Sequence, residues 1–172
     1  MARHYLGIDV GTGSARAGLF DDTGGLVATD KADIQMWREA GDIVEQSSED
    51  IWDAVCRSVR GALKKAGVAP DAVAGIGFDA TCSLVVLGEG GKPLAVGPSG
   101  DPARNIIVWM DHRAADQAKR INRTGDKVLD YVGGQISPEM ETPKLLWLSE
   151  NMPATFAGAW QFMDLTDFLT WR

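Results

Sequence analysis

Gly7-Ile8-Asp9-Val10-Gly11-Thr12-Gly13-Ser14-Ala15-Arg16 opens this chain with an apolar strand that ends in an aspartate. A glycine-rich turn with two hydroxyls follows, and a second apolar run, Ala17-Gly18-Leu19-Phe20, begins at once. The turn therefore joins two strands. Such a hairpin can press backbone N–H groups and hydroxyls against a phosphate while the carboxylate holds a Mg²⁺-bound water. The same glycines would also suit an ordinary hairpin turn, where they merely supply positive φ. Rival nucleotide motifs fit worse. A dinucleotide fingerprint needs a third glycine where Arg16 stands and a helix after the turn. No Gly-x-x-x-x-Gly-Lys-Ser/Thr run occurs, which excludes a P-loop.

The 172 residues are 45% hydrophobic and 24% charged, ordinary values for a globular domain with a sizeable core. A formal charge of −7, with no Lys/Arg cluster, argues against nucleic acid as a partner. Cys56 and Cys82 lack paired spacing, so reduced thiols and no zinc site are expected. His4 and His112 are too isolated to make a metal cluster. The N-terminus runs into a strand pattern without a signal peptide, and no apolar stretch approaches the ~20 residues that span a bilayer. A cytoplasmic location without a membrane partner is the expectation, and Asn122-Arg123-Thr124 is read as a chance glycosylation match.

Residues 4–10, 14–20 and 25–31 read as a three-strand meander, turned at Asp21-Asp22-Thr23-Gly24-Gly25. A polar stretch then leads to Ser47-Ser48-Glu49-Asp50, a helix start. That helix runs to about Ala66, with an apolar stripe of Ile51, Trp52, Val55, Val59, Leu63 and Ala66. Lys64-Lys65 and Gly67 end it. Val73–Phe78 reads as a buried strand, and Leu84–Leu87 as a strand pairing with it or its neighbour. Asn105–Met110 is another strand. His112–Arg123 and Thr142–Asn151 are helices, with Pro143 allowed in the first turn. Trp160–Met163 is a last strand, and Trp147, Trp160 and Trp171 are expected in the core. A helical pattern resumes at Leu165, and the chain stops at Arg172 in mid-element, as a fragment of a longer protein would.

The hairpin, meander, helix and return strand resemble the ribonuclease H-like layout of actin-like ATPases. This is an α/β fold with a mixed sheet and flanking helices. Within it, the chain resembles the N-terminal part of the FGGY carbohydrate kinases. Four landmarks carry the resemblance: Gly7–Arg16, Gly77–Leu87, Val108–Ala114, and Lys-Leu-Leu-Trp-Leu-Ser-Glu-Asn at 144–151. Glycerol kinases carry an Arg-Glu pair where this chain has Cys82 and Ser83. Phe78-Asp79-Ala80-Thr81-Cys82-Ser83 is instead similar to the ribulokinase pattern, as is the segment from Tyr131 to Lys144. The resemblance implies a kinase for a pentulose or pentitol, D-ribulose first and ribitol next, with ATP and Mg²⁺. It also implies that residues 1–172 are the incomplete first of two domains. A homodimer is compatible with it.

Phosphoryl transfer asks a protein for positioning, charge neutralisation and a base. By resemblance, Asp9 holds Mg²⁺ through water, Gly11, Thr12, Gly13 and Ser14 face the ATP phosphates, and Arg16 offsets their charge. Cys82 and Ser83 would sit at the mouth of a sugar cleft, although Cys82 also reads as a core thiol. Asp79 either binds sugar or caps a turn. Trp109 would stack on the sugar. Asp111 would accept a pair of hydroxyls, or cap a helix beginning at His112. Lys144 would reach the substrate, or stand solvated. The family's catalytic base, an aspartate in a Gly-Asp motif, is expected beyond residue 172; Asp164 and Asp167 do not match it. A non-catalytic actin-like ATPase, a regulatory module or a sugar-binding module is the alternative.

Overall fold

Alternation of buried and open positions runs through the first strands of the computed structural model, which describes residues 3–172. In β1 (His4–Val10) the buried residues are Leu6, Ile8 and Val10; in β2 (Ser14–Asp21) they include Ala15, Ala17 and Leu19. A period of two puts each set on one face of the sheet. β3 (Leu26–Asp33) completes the expected meander. β2 is antiparallel to β1 and β3, while β6 (Val73–Ala80) lies parallel to β1, giving the order β3-β2-β1-β6.

This sheet belongs to a unit formed, among the described residues, by 3–35, 49–81 and 166–172; residues 36–48 and 82–165 form a second. In the first, α1 (Ser48–Ala66) carries Glu49 and Asp50 at its start and Lys64 and Lys65 at its end, as its dipole favours. Gly67, at φ 65°, stops it. Its buried face is Ile51, Ala54, Val55, Ser58 and Ala62, whereas Trp52, Val59, Leu63 and Ala66 remain partly exposed. The expected stripe is thus rotated toward small residues, because the helix approaches β3 closely. A Cβ on Gly61 would come within 1.5 Å of Asp30 Oδ2. Lys65 Nζ donates to Asp30 Oδ1 (2.8 Å) and to the Thr29 carbonyl (3.1 Å). The hydrogen bond from Lys65 and the Lys31 amide hold the Asp30 carboxyl below its ordinary range. α5 (Leu165–Trp171) contributes buried Phe168 and Leu169.

The second unit is built on an antiparallel sheet in the order β4-β5-β8-β7-β9, from β4 (Met36–Glu39), β5 (Ile43–Gln46), β8 (Ile106–Ile107), β7 (Leu84–Gly88) and β9 (Ala159–Asp164). All five residues of β7 are buried. Leu84, Val86, Val96, Ile107 and Leu148 form one cluster, with Leu145, Trp147 and Phe162 packed on it. The helices of this unit are α2 (Ala115–Asn122), α3 (Glu141–Asn151) and α4 (Pro153–Gly158).

Several expectations need correcting. The polar stretch before α1 is the β4–β5 hairpin, turned where Gly41 and Asp42 adopt φ of 81° and 63°. β7 pairs with β8 and β9, not with β6 or a neighbour of β6. β6 is not buried: it is an edge strand among the described residues, and Ile76 is 58% exposed. The strand expected at Asn105–Met110 is only Ile106–Ile107. α2 begins at Ala115 rather than His112, because the Asp111 side chain pins residues 111–113 in a turn. Trp160, on edge strand β9, and Trp171, near the chain end, are exposed rather than core.

Gly61 yields a stability prediction. Alanine in a helix interior normally gains ~1 kcal/mol over glycine. Here Gly61→Ala displaces Asp30 from Lys65, so urea unfolding should show a net loss of about 1–2 kcal/mol, the scale of overpacking. A gain in stability would contradict the close approach of α1 to β3.

Candidate active site

The first group of candidate residues lies at the turn end of the β1–β2 hairpin. Register places Asp9 opposite Arg16, and Arg16 Nη1 lies 3.2 Å from Asp9 Oδ2. Both side chains are about half exposed (51% and 56%), so this ion pair contributes little to stability and remains accessible. In the turn, the Gly11 amide donates to the Ser14 carbonyl (3.0 Å), and the Gly13 carbonyl accepts from the Ile34 amide (3.1 Å). Gly11 therefore uses its N–H to close the turn. Ser14 is buried, which leaves Thr12, partly exposed, as the more open hydroxyl.

Neither Gly11 nor Gly13 lies in the left-handed region. A Cβ on Gly13 would meet nothing within 4 Å, and one on Gly11 would meet Arg16 Nη2 only at 3.5 Å. The backbone angles of this turn therefore do not require glycine, and the positive-φ explanation of the motif falls. What glycine leaves is an open approach to the backbone.

A groove of about 510 Å³ runs along the same open face of the sheet. Gly18, Gly7 and Gly77 are register partners across three strands and form its floor. Asp9, Arg16 and Asp79 line it too, and Asp79 is the partner of Asp9 on β6. Among the described residues no group of three or more His, Cys, Asp or Glu could hold a metal ion.

The second group belongs to the other unit. Cys82 is exposed, so it is not a core thiol. Ser83 is buried, and its Oγ accepts from the Trp109 amide (3.1 Å); Trp109 itself is partly exposed. Asp111 is fully buried. Its carboxylate accepts from the Val44 amide (2.7 Å), the Arg113 amide (2.9 Å), and Arg113 Nε and Nη2 (2.9 and 2.7 Å). Asp111 therefore ties a turn to β5 instead of opening toward hydroxyls, and it caps no helix at His112.

Arg113, which falls inside the Val108–Ala114 landmark but was given no role by sequence reasoning, organises this region. Its buried guanidinium also donates to Glu45 Oε1 (3.0 Å) and to the Val96 carbonyl (2.6 Å), and lies 5.0 Å from the Trp147 ring centroid. Burial pushes the Glu45 carboxyl up, against the pull of Arg113. Glu45 was hidden in the stretch read only as polar; no sequence signal marked it.

Lys144 is fully buried on the first turn of α3, which rules out a solvated lysine. Nζ donates to the carbonyls of Val108 (3.0 Å), Trp109 (3.1 Å) and Glu139 (2.8 Å). Burial lowers its pKa to about 8, although Asp111, Cys82 and Glu141 favour the charged form.

Comparison with known proteins defines the class first. The chain superposes on a xylulose kinase of Brucella ovis with a TM-score of 0.85 at 21% identity, covering 98% of this chain and 34% of that one. For a xylulose kinase of Rhodospirillum rubrum the TM-score is 0.79 at 20% identity, with 98% and 33% covered. At such identities the likeness establishes the fold, that of the sugar kinases with an actin-like ATPase architecture. Residues 4–172 match the N-terminal domain of the FGGY family of carbohydrate kinases, and the chain belongs to that family.

It is 49% identical over 171 residues to an FGGY carbohydrate kinase domain-containing protein of Homo sapiens (99% of this chain, 31% of the relative). A D-ribulokinase of Saccharomyces cerevisiae is 47% identical over 173 residues (99% and 24%), and a glycerol kinase of Marinomonas 32% over 182 (100% and 35%). The chain thus spans about a third or less of the length of these relatives. Among the described residues no helix is long and apolar enough to cross a membrane.

Replacing Arg113 with methionine would strand Asp111 and Glu45 as buried carboxylates. Urea denaturation of Arg113→Met should show a loss of about 3–5 kcal/mol, as when one member of a buried ion cluster is removed. A loss below ~1 kcal/mol would mean that the cluster is not buried as described.

Proposed function

We propose that this chain is the N-terminal part of an ATP-dependent kinase that transfers the γ-phosphate to a hydroxyl of a pentulose or pentitol, D-ribulose first and ribitol next. The observation that carries the nucleotide half is the turn at residues 11–14. It keeps two glycines that its backbone angles do not require, beside an accessible carboxylate–guanidinium pair. Backbone N–H groups in such a turn, with the Thr12 hydroxyl, can donate to phosphate oxygens, and Arg16 can offset charge that builds on them. Gly13 matters by what it leaves out: a side chain there would obstruct the phosphate, not the fold.

Asp9 fits a magnesium ion that arrives with the nucleotide, since Mg²⁺ keeps several waters and needs only one or two carboxylates. That ion would neutralise phosphate charge when bound. The chain's own contribution is to orient the phosphates and to hold Asp9 and Arg16 in register. No described residue is assigned as the base for the attacking hydroxyl.

The sugar half is supported by the second unit. Cys82 and Trp109 are the residues there that can face a ligand, the first small enough to admit a ketose backbone and the second a flat wall. Ser83, Asp111 and Lys144 support them from beneath. Identity of 47% to a D-ribulokinase, against 32% to a glycerol kinase, supports a five-carbon substrate.

The test is ADP release by the full-length protein with D-ribulose, ribitol, L-ribulose, D-xylulose and glycerol. D-Ribulose should give the largest kcat/KM. Absence of sugar-stimulated release from the whole panel would favour a regulatory module and overturn the proposal. Asp9→Ala should lower kcat by at least ~10²-fold, the scale of losing a preorganised electrostatic element. Gly13→Ala should raise the KM for ATP about tenfold, while its unfolding free energy from urea denaturation stays within ~0.5 kcal/mol of the parent. An unchanged KM would remove the turn from the phosphate site.

A further inference from the structure

An ammonium group has three protons and no acceptor, so a fully buried lysine needs three acceptors close at hand. Lys144 has three: the carbonyls of Val108, Trp109 and Glu139 at 3.0, 3.1 and 2.8 Å. Two belong to successive residues of the segment that carries Trp109, and the third to the turn before α3. With every proton aimed at the backbone, none is left to donate to a sugar hydroxyl. The Trp109 backbone is gripped from both sides, since its N–H donates to Ser83 Oγ and its carbonyl accepts from Lys144.

We propose that Lys144 is a positioning residue that fixes the Trp109 wall through backbone carbonyls and does not itself bind the sugar. This rests on the reading of the Cys82–Trp109 face as the sugar site. The charged and titratable groups facing Nζ are Asp111 and Arg113 from the turn before α2, Cys82 before β7, and Glu141 on α3. Burial outweighs the three acidic groups and brings the pKa from 10.5 to about 8. Above that pH the head keeps two protons for three carbonyls, and the wall loosens.

Stability moves the other way. Between pH about 8 and 10.5 the unfolded chain still holds the proton that the folded chain has released, so this residue's contribution to stability rises with pH across that window. Sugar affinity falling while this contribution rises is a signature that a merely structural lysine would not give.

The experiment is a double-mutant cycle in the full-length protein, read as KM for the sugar and for ATP, together with a set of monodeoxy pentuloses. Lys144→Met should raise the sugar KM about tenfold, the scale of one charge-assisted hydrogen bond, and leave the ATP KM alone. In a Trp109→Ala background the same change should cost less than ~2-fold, because the wall it positions is gone. Fully additive costs would overturn the proposal, and so would a single deoxy sugar for which the cost of Lys144→Met vanishes, since that identifies direct contact.

Should Lys144→Met fail to fold, the unmodified protein gives the answer through its pH profile. The sugar KM should rise between pH 7 and 9.5 equally for every deoxy analogue, whereas a flat profile or a rise absent for one analogue refutes the proposal. If no sugar is phosphorylated, the sugar-site reading fails by itself. Amide exchange then tests the clasp: faster exchange at residues 108–111 and 137–140 in Lys144→Met supports it, and unchanged exchange rejects it.

Discussion

Side chains on a strand alternate between faces, so the pairing register of β1 decides which atoms the first unit can offer a ligand. β1 is held on both sides, antiparallel to β2 and parallel to β6. Leu6, Ile8 and Val10 occupy buried positions, which forces Gly7 and Asp9 onto the opposite face. A slip of one residue would bury Asp9 and expose Ile8, a change opposed by both the hydrophobic term and the cost of an unpaired buried carboxylate. The same register brings Arg16 opposite Asp9 and aligns Gly18, Gly7 and Gly77 into one floor. Everything proposed for the nucleotide follows from that alignment and from the short turn that closes it.

The second unit solves a different problem. It buries Asp111, Glu45, Arg113 and Lys144, and each buried ion requires partners before it becomes tolerable. Arg113 supplies them for Asp111 and for Oε1 of Glu45, and three backbone carbonyls supply them for Lys144. Such clusters add little net stability relative to apolar packing of the same volume, but they define a geometry, because their hydrogen bonds form together in only one arrangement. The geometry defined here is that of the residues 108–113 turn. That turn carries the partly exposed Trp109, and its neighbour the exposed Cys82.

Much of the fold was legible because its signals are local. The meander, the dipole-matched ends of α1 and the strand at 159–164 followed from alternation, capping and turn residues. The β4–β5 hairpin was missed because Glu45 and Gln46 are polar yet buried, a pattern that hydropathy reads as surface. The rotation of α1 was hidden because Gly61 and Ala62 look uninformative until the sheet comes close. At the site, the hairpin and the landmark residues could be named from sequence, but not which of them are open. Asp111, Ser83 and Lys144 resemble ligands as letters; burial and hydrogen bonding, which depend on residues up to 67 positions away, show them engaged by their own chain. Arg113 fell inside a landmark but was overlooked, since its role rests on Glu45, Val96 and Trp147, none adjacent in sequence.

The role of the 11–14 turn is decided by the position of the phosphates in a crystal structure of the full-length protein with a nucleoside triphosphate analogue and magnesium. A terminal phosphate oxygen should lie within ~3 Å of backbone N–H groups or the hydroxyl in the stretch Thr12–Gly13, with a hydrated magnesium facing Asp9. Phosphates bound elsewhere, with the 11–14 turn facing only solvent, would contradict it.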